Sequence, residues 1–578
     1  MVSREQLVET ANRRGFFFQT AVKHGGAGGF YTLGSQGEAT RQRIANSWRE
    51  TFVTSHGFDE IQSPTILPES VFDASGHLDG FDDAMVTCGN CSSVHRADHL
   101  VEDAEILDEA EGLSLNALAT KLEASNMTCP TCSSVFESPS VKPFNLMFKT
   151  TIGPKEGNTA YLRPETAQGT LSEFWRLREF ARGQTPFGVA QVGRAYRNEI
   201  SPRKSLIRTR EFSQAELQTF VLDDSPPLSR VGNQTVTIKT ANTGEKSIPV
   251  DKLVNHIHPW LAYYVGLTAR WLTEVGIPEE RLRFRQHTDG ELAHYAQDCW
   301  DAEVHVHDEW VEIAGIANRG SYDLKAHEEA TGASHKLFEE YETPMTAEKR
   351  TVNVDMSVLG PQYGSQATAV EQALRQAVQQ DQSLTEQDEI SVDIEGEEIQ
   401  VDSSVVTVET DTVEKAGEQK YPQVIEPAFG LERVLYAVLT SSYTEDEVDG
   451  RTRRRLALNP TVAPVAVMVT ATRPDEQELR THVAGIRDEL RERGVAVAYE
   501  DTASIGKRYR RHDEIGTPFS VTIDKQTLRD GSATIRDRDS TKQVRIPTDG
   551  VVEIVTSLRE GETTFNELKQ QYPLVDTK

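Results

Sequence analysis

The stretch Pro186–Val221 limits the possible folds more than any other. Phe187, Val189 and Gln191 alternate along one segment, and Phe212, Ala215, Leu217 and Phe220 run back along a second, which predicts two long antiparallel strands. The loop between them carries Arg203, Lys204, Arg208 and Arg210, with Arg197 close by. Paired in this way, Arg197-Asn198-Glu199 and Arg210-Glu211-Phe212-Ser213-Gln214-Ala215-Glu216 bring arginines, an aromatic face and carboxylates to one concave surface. Guanidinium grips phosphate oxygens through two N–H groups and stays charged, a phenyl face stacks on a purine, and a carboxylate accepts from an exocyclic amine. These are the parts of a nucleotide pocket that lacks a phosphate-binding loop, and GxxxxGK[ST] is indeed absent. The plain alternative is a cross-strand ion-pair ladder, whose exposed pairs contribute only about 0–1 kcal/mol each.

Composition sets the class. The 578 residues suggest about three to five structural units. A net charge of −29 argues against a general polyanion binder, so a nucleic-acid partner needs a locally basic face. Only 19 of the 61 basic residues are Lys, and this acid-rich, Lys-poor balance suggests a protein kept in solution at high salt, where screening mutes self-repulsion. No apolar run reaches the roughly 20 residues a membrane helix needs, the longest being Val462–Val469, and residues 1–18 do not read as a secretory signal. A cytoplasmic protein is expected. Four of the five cysteines form the pairs Cys88-Gly-Asn-Cys91 and Cys129-Pro-Thr-Cys132, the spacing of a closed four-thiolate zinc site of structural type. Cys299 reads as a small buried side chain with nothing nearby to activate it.

Glu38–His56 predicts a helix stopped by Gly57, followed by an extended segment, Ile61–Pro68, that its prolines place at an edge. His99–Asn126 between the cysteine pairs reads as acidic and helical. Residues 381–418 hold 13 Asp/Glu and the single basic residue Lys415, and suggest a β-rich insertion with a solvated surface. After a linker at Asn459–Pro464, the segments Val465–Val469, Asp475–Arg493, Val495–Tyr499 and Phe519–Ile523 alternate strand, helix, strand and strand, which predicts a parallel α/β domain. Residues 501–546 hold ten Lys/Arg against seven Asp/Glu, and Lys507-Arg508-Tyr509-Arg510-Arg511 is the local basic patch expected to touch RNA, unless it only pairs with Asp513 and Glu514.

Arg197-Asn-Glu199 with Phe212-x-x-x-Glu216 resembles motif 2 of the class II aminoacyl-tRNA synthetases, Ile425-Glu-Pro-Ala-Phe-Gly-Leu-Glu-Arg433 resembles their motif 3, and the helix before Gly57 with Pro64 resembles motif 1. The segments Gly26–Gly34, His95–Leu100, Phe144–Thr150, Leu162–Gly169, Trp310–Arg319 and Ile505–Pro518 are similar to the archaeal and eukaryotic glycine–tRNA ligases within that class. The resemblance implies an α+β catalytic domain over 1–460, built on an antiparallel sheet of six or seven strands flanked by helices. A zinc-knuckle insertion at 84–140 and an acidic insertion at 340–420 would interrupt it, and an anticodon-binding domain would follow at 461–578.

It also implies ATP with Mg²⁺, glycine and tRNA as ligands, and a homodimer formed through motif 1. ATP would be held by Arg197, Asn198, Glu199, Ile207, Arg208, Thr209, Arg210, Glu211, Phe212, Glu312, Ile313, Gly430, Leu431, Glu432 and Arg433, with Glu312 and Glu432 serving magnesium. Arg197 would hold the α-phosphate, Glu199 the adenine amine, and Arg433 the adenine face or the γ-phosphate. Glycine would meet Arg96, Glu165, Phe212, Ser213, Gln214, Ala215, Glu216, Glu426, Pro427, Ala428, Phe429 and Gly430. Ala428 departs from the family, which usually has Ser there, so one neutral hydrogen bond of about 0.5–1.5 kcal/mol is lost or replaced. Lys507, Arg508, Arg510 and Arg511 would contact RNA. Two alternatives stand beside this: a synthetase of the same subgroup for threonine, proline or histidine, and a catalytically silent paralogue that binds nucleic acid.

Overall fold

The computed structural model describes residues 2–575 apart from 105, 107–109, 111, 155–156, 201, 203–204, 224, 241–242, 395 and 449. Arg203 and Lys204 of the basic loop therefore lie outside the described residues.

The two expected strands form at Phe187–Tyr196 and Glu211–Val221, antiparallel and in register from Phe187 opposite Phe220 to Tyr196 opposite Glu211. They belong to a nine-stranded sheet, not one of six or seven. Its antiparallel centre runs Leu282–Gln286, Asp298–Val306, Glu309–Gly320, Gln423–Gly430, Glu211–Val221, Phe187–Tyr196. Asp59–Glu60 adds in parallel at one edge, and a hairpin of Thr235–Thr240 and Thr243–Pro249 adds at the other, its inner strand parallel to Leu282–Gln286. The sheet is therefore mixed.

Alternation divides these strands into two faces. Ala215, Leu217, Trp300, Ala302, Ile316, Ile425 and Phe429 enter one large core with Trp48 and Phe52, with Trp260–Leu272 of helix Pro259–Glu274 and with Val434–Leu439 of helix Leu431–Ser442. The opposite face is left for ligands. One irregularity matters there: opposite Ala302 and Glu303 the strand Glu309–Gly320 carries an extra residue, because Ala302 faces Ala314 whereas Glu303 faces Glu312. The unpaired Ile313 is a bulge that reverses the alternation, so Gly315 and Ala317 on one side of it and Glu312 on the other all face the cavity.

The expected helix Glu38–His56 spans three geometries. It is α-helical over Ser35–Trp48, widens to π-type over Arg49–Val53, tightens over Thr54–His56 and stops at Gly57 with φ +68°. Ile66–Pro68 is the edge strand of a three-stranded sheet, as its prolines require. Between the cysteine pairs, helices Ala97–Asp103 and Leu115–Ala124 pack Leu100, Val101, Leu118 and Leu122 against Val86 and Phe136.

In the C-terminal region a five-stranded sheet runs Val497–Tyr499, Val467–Ala471, Phe519–Ile523, Ser532–Asp537, Gln543–Pro547. The first three strands are parallel, and the last two are added antiparallel, so this sheet too is mixed. Helix Gln477–Glu492 covers it with Leu479, Val483, Ile486 and Leu490.

Lys336–Lys420 forms a separate compact unit. A long ribbon of Leu337–Val354 and Val406–Lys420 leads to a hairpin, Glu389–Ile394 with Glu397–Asp402. Helices Met356–Tyr363 and Ala367–Gln380 also belong to it, so the unit is α+β and not purely β-rich. Val370, Leu374 and Val378 of the second helix close its small core over Ile390, Val392 and Val401. Among the described residues no helix is long and apolar enough to cross a membrane.

Candidate active site

The free face of the large sheet carries a cavity of about 340 Å³. Alternation decides which of the expected residues reach it. Phe212, Gln214 and Glu216 line it from one strand and Glu426, Ala428 and Gly430 from the next, while Ala215 and Phe429 point into the core. Arg197, Glu199, Ile207, Arg208, Thr209, Glu165, Glu312, Ile313, Glu432 and Arg433 complete the expected set in its wall. Asn198, Arg210, Glu211, Leu431, Arg96, Ser213, Ala215, Pro427 and Phe429 do not line it.

Several of these have other work. Arg210 donates to Gly28 O (2.9 Å) and to Glu199 O (2.8 Å), and its own N–H donates to Gly29 O (2.9 Å), tying the glycine segment to the strand. Gly29 has φ +77°, and a Cβ there would lie 2.6 Å from Pro202, so glycine is required at this crossing. Arg96 is buried between Asp83 (3.1 Å) and Asp98 and is thereby used within the cysteine-bearing insertion. Glu211 lies on the surface beside Arg194.

The two key arginines enter the same cavity. The Arg197 guanidinium lies between two rings, 5.3 Å from the centre of Phe81 and 5.6 Å from that of Phe212. Arg433 donates through Nε to Ile207 O (2.8 Å) and through Nη1 to Glu312 Oε2 (2.9 Å). Burial raises the Glu312 carboxyl, but Arg433 and Arg197 outweigh it and hold the group at about 2. Glu199 Oε2 is buried and among the described residues has no hydrogen-bond partner, lying 3.7 Å from Arg208 Nε, so an acceptor for an incoming N–H stands in the wall. Glu432 accepts from Ser213 N–H (2.7 Å) and lies 3.5 Å from Arg194 Nη1.

At the other end three carboxylates converge. Glu216 accepts from Thr166 N–H (3.0 Å) and Oγ1–H (2.6 Å), and Glu426 accepts from Gln218 (2.8 Å). Arg319 is fully buried, donating to Asp323 (2.9 and 3.0 Å), to Glu426 (3.1 Å) and to Glu165 (3.4 Å), with its guanidinium 3.7 Å from the centre of the Tyr295 ring. Burial raises Glu165, but Arg319 and His77 bring it below the ordinary carboxylate range. Glu216 is pushed up to about 8 by burial and by the neighbouring Glu426 and Glu165. Sequence reasoning missed Arg319 and Asp323. The signal was present in charge bookkeeping, since buried carboxylates demand a buried cation.

It also misread Cys299, which has chemical neighbours after all: the ring of His287 and the carboxylate of Asp301 lie beside it in the cavity wall.

The four remaining sulfurs meet as their spacing requires. Cys88 and Cys132 lie 3.7 Å apart, as do Cys91 and Cys129. An edge of a zinc–thiolate tetrahedron with bonds of about 2.3 Å is roughly 3.8 Å, so the set fits that ion. The two knuckles repeat one geometry: Cys88 N–H donates to Ser93 O and Cys129 N–H to Ser134 O, both at 2.8 Å, with Ser92 and Ser133 left-handed at φ 58° and 59°.

The basic helix Ile505–Glu514 presents Lys507 to solvent, whereas Arg508 is buried and donates to Thr470 Oγ1 (2.5 Å), Ala471 O (2.7 Å) and Ala503 O (3.1 Å). Arg508 is therefore a brace inside the C-terminal sheet and not an RNA contact. Arg510 is half-buried, and Arg511 pairs with Glu500 (2.5 Å). Asp513 and Glu514 pair elsewhere, the first with Arg453 and Arg536, the second with Arg13 and Arg14.

The anticodon binding domain family matches residues 464–558. Over its whole length the chain is similar to proteins named glycine–tRNA ligase. That of Methanothrix thermoacetophila is 41% identical over 574 residues, covering 97% of this chain and 98% of the relative. That of Archaeoglobus fulgidus is 42% identical, with 98% and 99% covered, and that of Methanothermobacter thermautotrophicus 39%, with 96% and 99%.

Proposed function

The chain belongs to the glycine–tRNA ligases, and from that premise we propose how its cavity receives the substrates. The reaction attaches glycine to tRNA, with ATP first activating the glycine carboxylate. Full-length similarity to proteins of this activity disfavours a threonine, proline or histidine enzyme and a silent paralogue.

The observation that carries the assignment is the convergence of Arg197 and Arg433 at one end of a cavity whose other end is walled by Glu165, Glu216 and Glu426. Arg197 holds the α-phosphate while Phe212 stacks on adenine and the orphaned Glu199 Oε2 accepts from its amine. Arg433, released from Glu312, neutralises the departing pyrophosphate. Glycine's ammonium meets the carboxylates, and Gln214 and Ala428 flank it. The glycine carboxylate attacks the α-phosphorus, pyrophosphate leaves, and the 3′-terminal ribose hydroxyl of tRNA then attacks the glycyl carbonyl and displaces AMP. Rate comes from positioning and charge stabilisation, with no protein nucleophile in the path. A pocket walled by carboxylates leaves no room for a side chain, and nothing smaller than glycine competes. Glu312 and Glu432 are the oxygen ligands offered to Mg²⁺, a hard cation that takes one or two carboxylates beside phosphate oxygens. A charging assay of total tRNA across the amino acids tests the assignment. Labelled glycine must be attached, and attachment of threonine or proline in its place would refute it.

Glu216 links glycine capture to pH. Its carboxyl stands at about 8 before glycine arrives, so it is mostly protonated at neutral pH. An ammonium beside it favours the charged form, so binding expels a proton and glycine affinity rises with pH up to about 8, by up to about tenfold per unit. Calorimetric titration with glycine at pH 7 in buffers of different ionisation enthalpy is expected to reveal the released proton, and buffer-independent heats would exclude it.

The C-terminal region takes the tRNA anticodon arm, with Lys507, Arg510 and Arg511 on its basic face. Lys507→Ala is expected to weaken tRNA binding and to reduce the salt slope by about one, leaving folding intact. Arg508→Ala strips donors from buried acceptors and is expected instead to destabilise the fold by about 1–3 kcal/mol. Equal loss of tRNA affinity in both, with unchanged melting, would contradict this division.

The four-cysteine set holds a structural zinc ion, since its ligands fill every tetrahedral position. A homodimer built on residues 38–68, a cytoplasmic setting and tolerance of high salt complete the reading, the last supported by the net charge of −29. Sedimentation of the whole chain in molar salt is expected to give the dimer, and a monomer would refute it.

A further inference from the structure

We propose that His287, Cys299 and Asp301 form a second metal site, open to the cavity, for a borderline divalent cation of the zinc class.

The three residues come from two neighbouring strands. His287 directly follows Leu282–Gln286, and its N–H donates to Cys299 O (3.0 Å), which fixes the two residues side by side across the strand pair. Asp301 lies two residues beyond Cys299 on Asp298–Val306, so both side chains leave the same face of the sheet. One ligand atom from each of the three lies within 4.8 Å of the others. Imidazole nitrogen, thiolate sulfur and carboxylate oxygen bind zinc at about 2.0, 2.3 and 2.0–2.2 Å, so small side-chain shifts close the set on one ion. The thiolate and imidazole also bias the choice away from Mg²⁺.

Three further features fit a cation bound here. Both ring nitrogens of His287 are buried, and neither makes a hydrogen bond of acceptable geometry among the described residues. Nε2 nevertheless lies 2.9 Å from Asp301 Oδ2. Two groups this close form an ion pair when the ring is protonated, and the same pair can hold a shared ion once that proton has left; ring nitrogens without a directed partner in a cavity wall leave room for it. Asp301 is also held from behind: Arg285 donates to it (3.0 Å) and is itself fixed by Glu291 (2.9 Å) and Glu303 (3.2 Å), the outer support that orients a metal-binding carboxylate.

The site differs in kind from the four-cysteine cluster. Three protein ligands leave one tetrahedral position open, and here it faces the cavity also lined by Glu312 and Arg433. A phosphate or carboxylate oxygen from a small molecule in the cavity would fill it. On binding, His287 and Cys299 give up any protons on their ligating atoms to solvent, and the ion takes those lone pairs with no change of oxidation state.

The experiment uses the full chain, stripped of metal, reloaded with Zn²⁺ at micromolar concentration and desalted before metal analysis. Two ions per chain are expected, falling to one in Cys299→Ser and in His287→Gln, with circular dichroism showing each variant folded. Using two variants guards against either one failing to fold. Co²⁺ loading gives an independent reading: the thiolate-to-cobalt absorption of the whole protein should lose a contribution in Cys299→Ser while the four-thiolate signal remains. One ion in the unaltered chain, an unchanged count in both variants, or retention only at millimolar Zn²⁺ would each overturn the proposal.

Discussion

Replacing Arg433 with alanine is expected to lower glycine-dependent ATP–pyrophosphate exchange by about 10²–10³-fold, the usual consequence of removing one preorganised donor from developing negative charge. The effect should be large because one side chain serves three purposes. It meets the triphosphate, it neutralises Glu312 (2.9 Å), and it holds the basic loop at Ile207 O (2.8 Å). Alanine leaves the Glu312 carboxylate facing the phosphates with nothing to cancel it. Arg433→Lys keeps the charge but not the planar fork, so it should recover part of the rate and not all of it. Exchange within threefold of the unaltered protein would show that Arg433 does not act on the triphosphate.

Arg319→Met is expected to destabilise the fold by about 3–5 kcal/mol, because the variant keeps Glu165, Glu426 and Asp323 buried and removes the cation they share. Methionine preserves much of the volume, so the loss reports charge and not a void. Urea unfolding followed by fluorescence gives the midpoint. An unshifted midpoint would mean that the three carboxylates are neutralised in some other way. Under conditions where the variant remains folded, the carboxylates take up protons and glycine affinity should fall as well.

What could be read before the fold was known, and what could not, has a physical basis. The strand that ends just before Arg197 and the strand carrying Phe212–Glu216 announced themselves because period-two alternation and a long basic loop have few other meanings. The cysteine pairs were equally plain, since CxxC places two sulfurs on one turn. The same alternation also explains the errors within the site. Ser213, Ala215, Pro427 and Phe429 adjoin true wall residues in sequence, but Ala215 and Phe429 leave the sheet on its core side. Arg508 looked like its basic neighbours, yet its position on the helix turns it toward Thr470 and Ala471. Cys299 looked isolated because His287 is twelve positions away in the chain and arrives beside it only through strand pairing. Long-range pairing of this kind leaves no local trace.

Nor does the bulge at Ile313. That single residue splits its strand into two halves that answer to different reactants: Gly315 and Ala317 face one way because of the regular half, and Glu312 faces the same way only because the count is off by one. Were the bulge flattened into regular pairing with every residue kept, the outer half would turn over, carrying the carboxylate into the apolar layer and Val311 out to the phosphates. The direction in which the outer half faces is thus held by one unpaired residue. Changes in chain length at the hairpin around Asp308 or beyond Gly320 leave this pairing untouched, so they are absorbed without moving the partner of Arg433 relative to the amino-acid end.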